Sequence, residues 1–395
     1  MSVFDVLVGQ QRLVETLRHA VDAAEEYRSG GQGRGMTHAW LFTGPPGSGR
    51  SNAARAFAAA LQCPQGGCGT CDACHTALIG THPDVRLITT ELLSIGVDES
   101  RWLVTEASKL PSMGRWRVLA IEDADRLTPQ ANNALLKVLE EPPAHTVWLL
   151  CAPSTEDLLP TINSRVRHVS LVTPSTEAVA AHLVRTIGAT PEMAAFAARA
   201  SQGHIGRAKG LATDEGSRLR RAEVLRLPAS VTTLGAAFAA AQDVVDTATE
   251  DAEHLTSERD TTERTDLARA LGVENPQRVP GWASSQFKAL KDMQGKRAKR
   301  AVRDSLDRML LDLAAYYRDV LVVQVGAPVE LVNAELAPDI ERLARGGAPE
   351  ATLRRIEAIQ DARRRIGAVR DEQGQARSVA PLLAMESLMV SLLTA

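Results

Sequence analysis

Four of the five cysteines in this chain fall within twelve residues, as Cys63-x4-Cys68-x2-Cys71-x2-Cys74, and they begin a dozen residues after a glycine-rich loop. Thiolates are soft, compact ligands, and a zinc ion accepts four of them in a tetrahedron. Each short Cys-x-x-Cys turn presents two sulfurs to one ion, and Gly66, Gly67 and Gly69 permit the tight chain path that this needs. Disulfides or unrelated buried thiols are the competing readings. The chain opens on Met-Ser-Val-Phe-Asp and then turns amphipathic, with nothing resembling a secretory signal, so a reducing, cytoplasmic setting is expected and disulfides are disfavoured. Four sulfurs leave no open coordination position, so the expected metal would staple a loop and take no part in catalysis. His75 then reads as a surface residue, and Cys151, in Val147-Trp-Leu-Leu-Cys151, as a thiol on a buried strand.

Trp40-Leu-Phe-Thr43 reads as a short apolar strand running into Gly44-Pro-Pro-Gly47-Ser-Gly49-Arg50-Ser51, with a helix over Asn52 to Gln62. Strand, glycine loop and helix N-terminus are the setting of a phosphate-binding loop, in which backbone N–H groups and the helix dipole converge on phosphate oxygens. Ser51 stands where a hydroxyl would hold Mg²⁺. The pattern calls for lysine where Arg50 stands. A lysine ammonium fits between the β- and γ-phosphates, whereas arginine is a longer planar fork. ATP or ADP binding therefore remains open, as does an idle inherited scaffold, and efficient hydrolysis is not expected. The second acidic strand, Arg117-Val-Leu-Ala-Ile121, ends in Glu122-Asp123, the reverse of the usual aspartate–glutamate order, so the shorter Asp123 falls on the water-positioning place. After Val147–Leu150 the residues Cys151, Ala152 and Pro153 offer no polar side chain to sense a γ-phosphate. Three departures on three strands argue against a working ATPase site.

The order of further motifs resembles one family. Phe4-Asp-Val-Leu-Val-Gly9-Gln10, His38-Ala-Trp-Leu-Phe-Thr-Gly44-Pro-Pro-Gly, the four cysteines and Thr81-His82-Pro83-Asp84 follow one another as in AAA+ clamp-loader subunits. The most specific segment is Leu127-Thr-Pro-Gln-Ala-Asn-Asn-Ala-Leu-Leu-Lys137-Val-Leu-Glu-Glu141-Pro-Pro143. Thr128 can cap a helix with Pro129 at its first position, Ala131, Ala134, Leu135, Val138 and Leu139 share a face, and Pro142 stops it. Thr161-Ile-Asn-Ser164-Arg165-Val166 is similar to the family's Ser-Arg-Cys motif. The resemblance covers roughly the first 210 residues well. A chain that keeps the cysteine module and Ser164-Arg165 but damages its own ATP site resembles the delta-prime type of the bacterial DNA polymerase III clamp loader.

That resemblance implies an α/β domain followed by all-α parts. The expected domains are a parallel-sheet AAA+ domain over 1–172 with its zinc module at 63–74, a small helical lid over 173–213, and a C-terminal helical collar over 214–395. It implies that Arg165 acts in trans as an arginine finger on a neighbour's γ-phosphate, and that Arg207, in Gly203-His-Ile-Gly206-Arg207, touches nucleotide or makes a structural pairing. The implied degenerate nucleotide set is Gly44, Gly47, Gly49, Arg50, Ser51, Glu122, Asp123 and Arg207. Implied partners are gamma/tau and delta subunits, the sliding clamp and, through the complex, primed DNA. The chain would be a rigid member of a hetero-oligomer within a DNA-directed DNA polymerase holoenzyme, with no independent ATPase activity. The competing readings are an active gamma/tau-like ATPase and a zinc-dependent nucleic-acid-binding module on an idle AAA+ scaffold. His204 reads as a helix-start residue, Arg167 as a solvated charge, and His82 and Asp84 as organisers of a turn.

Composition adds exclusions. A net charge of −3 gives the whole chain no electrostatic pull on DNA, and aromatics at 4% are too sparse for base-stacking platforms. No apolar run approaches the roughly 20 residues of a membrane helix. Within the C-terminal half, about 247–303 looks like a charged insertion. Residues 247–266 are acidic-leaning and read as an exposed helical extension or a loop, and Lys288 to Arg303 is basic, reading as the solvated face of a long helix, with contact to DNA or to an acidic neighbour as the alternative. Leu382 to Leu393 is apolar on most sides and is expected to be buried.

Overall fold

A computed structural model describes residues 2–90, 94–275, 277–367, 369–370, 376–377 and 379–394. Met1 and Ala395, the outer ends of the expected first and last domains, lie outside the described residues. The chain divides into two compact units, one of Met1–Thr90 with Ser94–Thr213 and one containing Asp214–Ala395.

The first unit begins with helix α1 (Gln11–Arg28), strand β1 (Ala39–Thr43), helices α2 (Arg50–Gln62) and α3 (Asp72–Ile79), and strand β2 (Val85–Ile88). It continues through α4 (Val97–Ala107), β3 (Arg117–Ile121), α5 (Pro129–Glu140), β4 (Thr146–Ala152), α6 (Pro160–Asn163) and β5 (Arg167–Ser170). The five strands of this sheet pair in parallel, in the order β2-β3-β4-β1-β5. Every residue of β1, β3 and β4 is buried, as a sheet covered on both faces requires. Trp40, Phe42, Val118, Ala120 and Leu149 pack with α1 and α2, and Phe57 meets Trp40 edge-on at 5.1 Å. Leu41, Leu119, Ile121 and Leu150 point the other way, into α4 and α5. The alternation is the period of two of a pleated strand.

Helix α5 starts as its sequence dictates. The Thr128 hydroxyl accepts from Ala131 N, Pro129 opens the first turn, and Ala131, Asn132, Leu135, Val138 and Leu139 are buried. From β1 the chain crosses to β2 at the sheet edge, returns through β3 and β4, and places β5 on β1's other side. The ends of β1 and its neighbours are thus a topological switch point, where parallel sheets offer binding crevices. Helices α7 (Thr176–Ile187), α8 (Pro191–Ser201) and α9 (Ile205–Thr213) follow and pack on one another through Val179, Leu183, Ala194, Ala197, Ala198 and Leu211.

The second unit is helical: α10 (Glu215–Ser230), α11 (Leu234–Leu271), α12 (Ser284–Val325), α13 (Ala337–Gly346), α14 (Pro349–Ile366) and α15 (Pro381–Thr394). Residues 247–266 belong to α11 throughout, which excludes the loop reading. The basic run lies on α12, which continues unbroken through Leu306, Met309, Leu310 and Leu313 into the core. The two long helices run antiparallel, since Asp251 meets Ser305 while Glu263 meets Arg297. Helix α15 buries Ala384, Met385, Leu388, Met389 and Leu392 but leaves Leu383 exposed, so it is amphipathic and not buried all round.

Candidate functional site

The cysteine cluster is built by the end of one helix and the start of the next. Cys63 caps the C-terminus of α2, and Cys71 caps the N-terminus of α3, accepting from Cys74 N. The four sulfurs lie within 4.8 Å of one another, with Cys63–Cys68 and Cys63–Cys71 Sγ separations of 3.7 Å. A tetrahedron with metal–sulfur bonds of about 2.3 Å has edges of about 3.8 Å, so the donor set fits a four-thiolate metal ion. Backbone N–H groups support the sulfurs. Gln65 and Cys68 donate to Cys63 Sγ, and Gly69 donates to Cys74 Sγ. The Thr70 hydroxyl holds the Cys68 thiol down at about 6, whereas burial pushes Cys74 up. Gly67, at φ +103°, is the tight point, because a Cβ there would press on Val3 and Ala60. Its carbonyl accepts from Val3 N at 3.1 Å, so the cluster staples the N-terminal segment to α2. His75 is exposed and outside the ligand set, and Cys151 is buried in β4, where burial raises its pKa.

The phosphate-type loop is closed on itself. Gly44 N donates to Pro153 O, and the Arg50 guanidinium donates to the Gly44 carbonyl. The arginine therefore folds back along the loop and binds its own backbone. Gln10, buried, donates to Val172 O at 2.6 Å and accepts from Val172 N, fixing the segment after β5 beside the loop. Gly47, at φ +82°, faces His204, and a Cβ there would overlap the imidazole ring. His204 Nδ1 in turn accepts from Arg207 N, consistent with its reading as a helix-start residue.

A cleft of about 360 Å³ opens between the loop and helices α7 and α9, lined by Gly49, Arg50, Ser51, His182, His204 and Lys209 among others. Its cations suit an anion. Of the residues read from sequence as the nucleotide set, Gly47, Gly49, Arg50 and Ser51 line it, while Gly44, Glu122, Asp123 and Arg207 do not. Glu122 is nine-tenths buried and held by Arg55 Nε of α2 at 2.6 Å. Asp123 stands at the end of β3 with Arg126 Nε at 3.9 Å. Arg55, His182 and Lys209 were missed in the sequence because nothing in their local spacing signals the contact. Each meets the loop region only through the packing of separate elements.

Arg165 lies just beyond α6, the short helix that packs on the signature helix α5. Its guanidinium reaches Thr161 O at 2.6 Å, Ser164 Oγ at 3.1 Å and the Glu140 carboxylate, and its side chain remains about one-third exposed. Glu140 belongs to the Glu-Glu-Pro-Pro run, whose role as a partner has no signal in the sequence alone. Arg167 is exposed, as its reading as a solvated charge expects, and it also stacks over Trp40 at 4.7 Å and donates to Gly35 O.

Asp84, entering β2, is fully buried and does more than shape a turn. It accepts from Ser112 N (2.7 Å), Ser112 Oγ (2.9 Å), Met113 N (2.8 Å) and Gly114 N, and lies 3.6 Å from Arg117 of β3. Burial pushes its pKa up, but the N–H and O–H donors outweigh it and hold the carboxyl at about 2. Arg117 also reaches the Pro83 carbonyl and the Glu106 carboxylate, so the entries to β2 and β3 are tied together.

The family model described as DNA polymerase III, delta subunit, matches residues 22–175. Delta prime of Pseudomonas aeruginosa is 38% identical over 160 residues, covering 39% of this chain and 49% of that protein. Delta prime of Escherichia coli is 36% identical over 185 residues, covering 45% and 55%. The gamma/tau subunit of Mycobacterium tuberculosis H37Rv is 34% identical over 170 residues, covering 42% and 28%. The chain thus spans about half the length of these delta-prime relatives. Residues 22–175 are thus similar to DNA polymerase III clamp-loader subunits of the delta-prime and gamma/tau kinds.

Proposed function

We propose that this chain serves as the delta-prime-like subunit of a bacterial clamp loader, a rigid member of a AAA+ ring that helps place a sliding clamp on primed DNA. One observation carries the reading: Arg50 is bound to the Gly44 carbonyl, so the loop's own cation is turned onto backbone where phosphate would sit. The reversed acid pair points the same way, with Glu122 neutralised by Arg55. The chain's own ATP site is then without hydrolytic activity, although the cationic cleft retains the character of an anion or nucleotide site.

In this reading Arg165 is the working group. Held by Thr161, Ser164 and Glu140 at the edge of the sheet domain, its guanidinium reaches a neighbour's ATP site and offsets charge developing on the transferred phosphoryl. Such a finger is worth about 10³–10⁵ in rate. The cysteine cluster takes zinc and acts as a staple. Residues 173–213 serve as the lid and 214–395 as the collar that joins gamma/tau and delta neighbours in the cytoplasm. No helix among the described residues is long and apolar enough to cross a membrane.

The test is ATP hydrolysis by a reconstituted loader, stimulated by clamp and primed DNA, with wild type compared against Arg165→Ala. Ring assembly is checked by sizing. Loss of a hundredfold or more in turnover with the ring intact is expected. Unchanged turnover in an intact ring refutes the finger.

A further inference from the structure

Helices α11 and α12 form a long hairpin whose charges are sorted by environment. Arg297, on α12, is buried and receives both acids that face it from α11, Asp260 at 2.5 Å and Glu263 at 2.5 Å. Arg300 and Arg303 are also at most half-exposed. The exposed cations between Ser284 and Arg303 are all lysines: Lys288, Lys291, Lys296 and Lys299. With 3.6 residues per turn these four fall within an arc of about 140°, along about 16 Å of helix. No ion pair is recorded for any of the four among the described residues. One acid, Asp292, shares the face, leaving it three charges positive.

Like charges three residues apart destabilise an exposed helix. The acids that could have relieved this are turned inward onto Arg297. Arginine forks occupy the enclosed positions of this helix, and flexible ammonium point charges occupy the solvent face. That division suits contact with a regular line of anions and does not suit a fixed bidentate partner.

We propose that the Lys288–Lys299 face of the hairpin is a docking surface for the phosphate backbone of nucleic acid, binding without regard to base sequence. The surface lies within the second unit and shares no residue with the cysteine cluster or the phosphate-type loop. The chain's overall charge of −3 does not oppose it, because screening confines the relevant field to about 10 Å at 0.1 M salt. The inference stands independently of the clamp-loader reading.

The experiment uses the full chain and a fluorescently labelled 20-base-pair DNA duplex, with anisotropy measured from 50 to 200 mM salt. Three to four neutralised phosphates give a log–log slope of about −2.7 to −3.6, a loss of roughly 40- to 150-fold across that range. Replacing all four lysines by glutamine should weaken binding at least tenfold at 50 mM and flatten the slope, with helicity by circular dichroism unchanged. Replacing all four by arginine should preserve binding. Asp292→Asn, which removes the opposing charge, should tighten it. Wild-type affinity in the glutamine variant overturns the proposal. So does tight capture of polyglutamate where the duplex does not bind, since the partner would then be an acidic protein.

Discussion

Asp84→Asn should be among the most damaging near-isosteric changes in the first unit. The wild-type carboxylate takes two donors from Ser112 on one oxygen and the Met113 and Gly114 amides on the other. An asparagine can keep its oxygen toward only one pair, so its NH₂ then meets two donors, and each orphaned buried donor costs about 1–3 kcal/mol. Arg117 also loses part of its neutralisation, and breaking a buried pair costs about 3–5 kcal/mol. These costs overlap, so the expected loss is about 3–5 kcal/mol at pH 7.

Urea unfolding followed by tryptophan fluorescence is a suitable assay, because Trp40, Trp102, Trp116 and Trp148 all lie in the first unit. With a slope of about 2–3 kcal/mol/M the midpoint should fall by about 1–2 M. The pH dependence checks the cause. The folded carboxyl titrates at about 2, below its ordinary value of 3.8, so ionisation contributes stability above about pH 4 that is lost as pH falls toward 2. That contribution is about 2.5 kcal/mol, and asparagine has none of it, so the gap between the two proteins should narrow by about that amount below pH 4. A gap under 1 kcal/mol at pH 7, or one that stays constant down to pH 2.5, refutes the account.

Three further outcomes are expected. Elemental analysis should find about one zinc per chain, and Cys74→Ser should weaken its retention tenfold or more while lowering the thermal stability of the first unit; a full complement of metal in the variant would count against the staple. Arg50→Lys should not create ATP turnover by the isolated chain, because Glu122 stays bound to Arg55; phosphate release above background would show that the lysine alone was missing. Arg297→Met should cost about 1–3 kcal/mol in helix melting, a discounted figure because Asp260 and Glu263 are each about one-quarter exposed. Hydrogen bonding to Arg297 holds Glu263 at about 2, so this stabilisation should disappear as pH falls from about 4 toward 2, and a variant effect unchanged at pH 2.5 would contradict the pairing.

Local chemistry made much of this protein legible from its sequence. The spacing of Cys63, Cys68, Cys71 and Cys74 specified a four-sulfur cluster because the ligands come from one short segment. Thr128-Pro129 marked the start of α5, and Trp40–Thr43 the buried strand β1, because caps and buried strands depend on neighbours in the chain. The charge alternatives for 247–303 were visible, but not that Arg297 would be buried between acids from another helix. Likewise, an arginine in place of a lysine was evident at position 50, while its bond to Gly44 was not. Arg55 on Glu122, Glu140 on Arg165 and Asp84 under the 112–114 loop all join residues more than twenty positions apart. Patterns within a few turns of chain are written in the order of residues. Which distant cation meets which acid is decided only when packing brings helices and strands together, because burial then makes an unpaired charge too costly to leave.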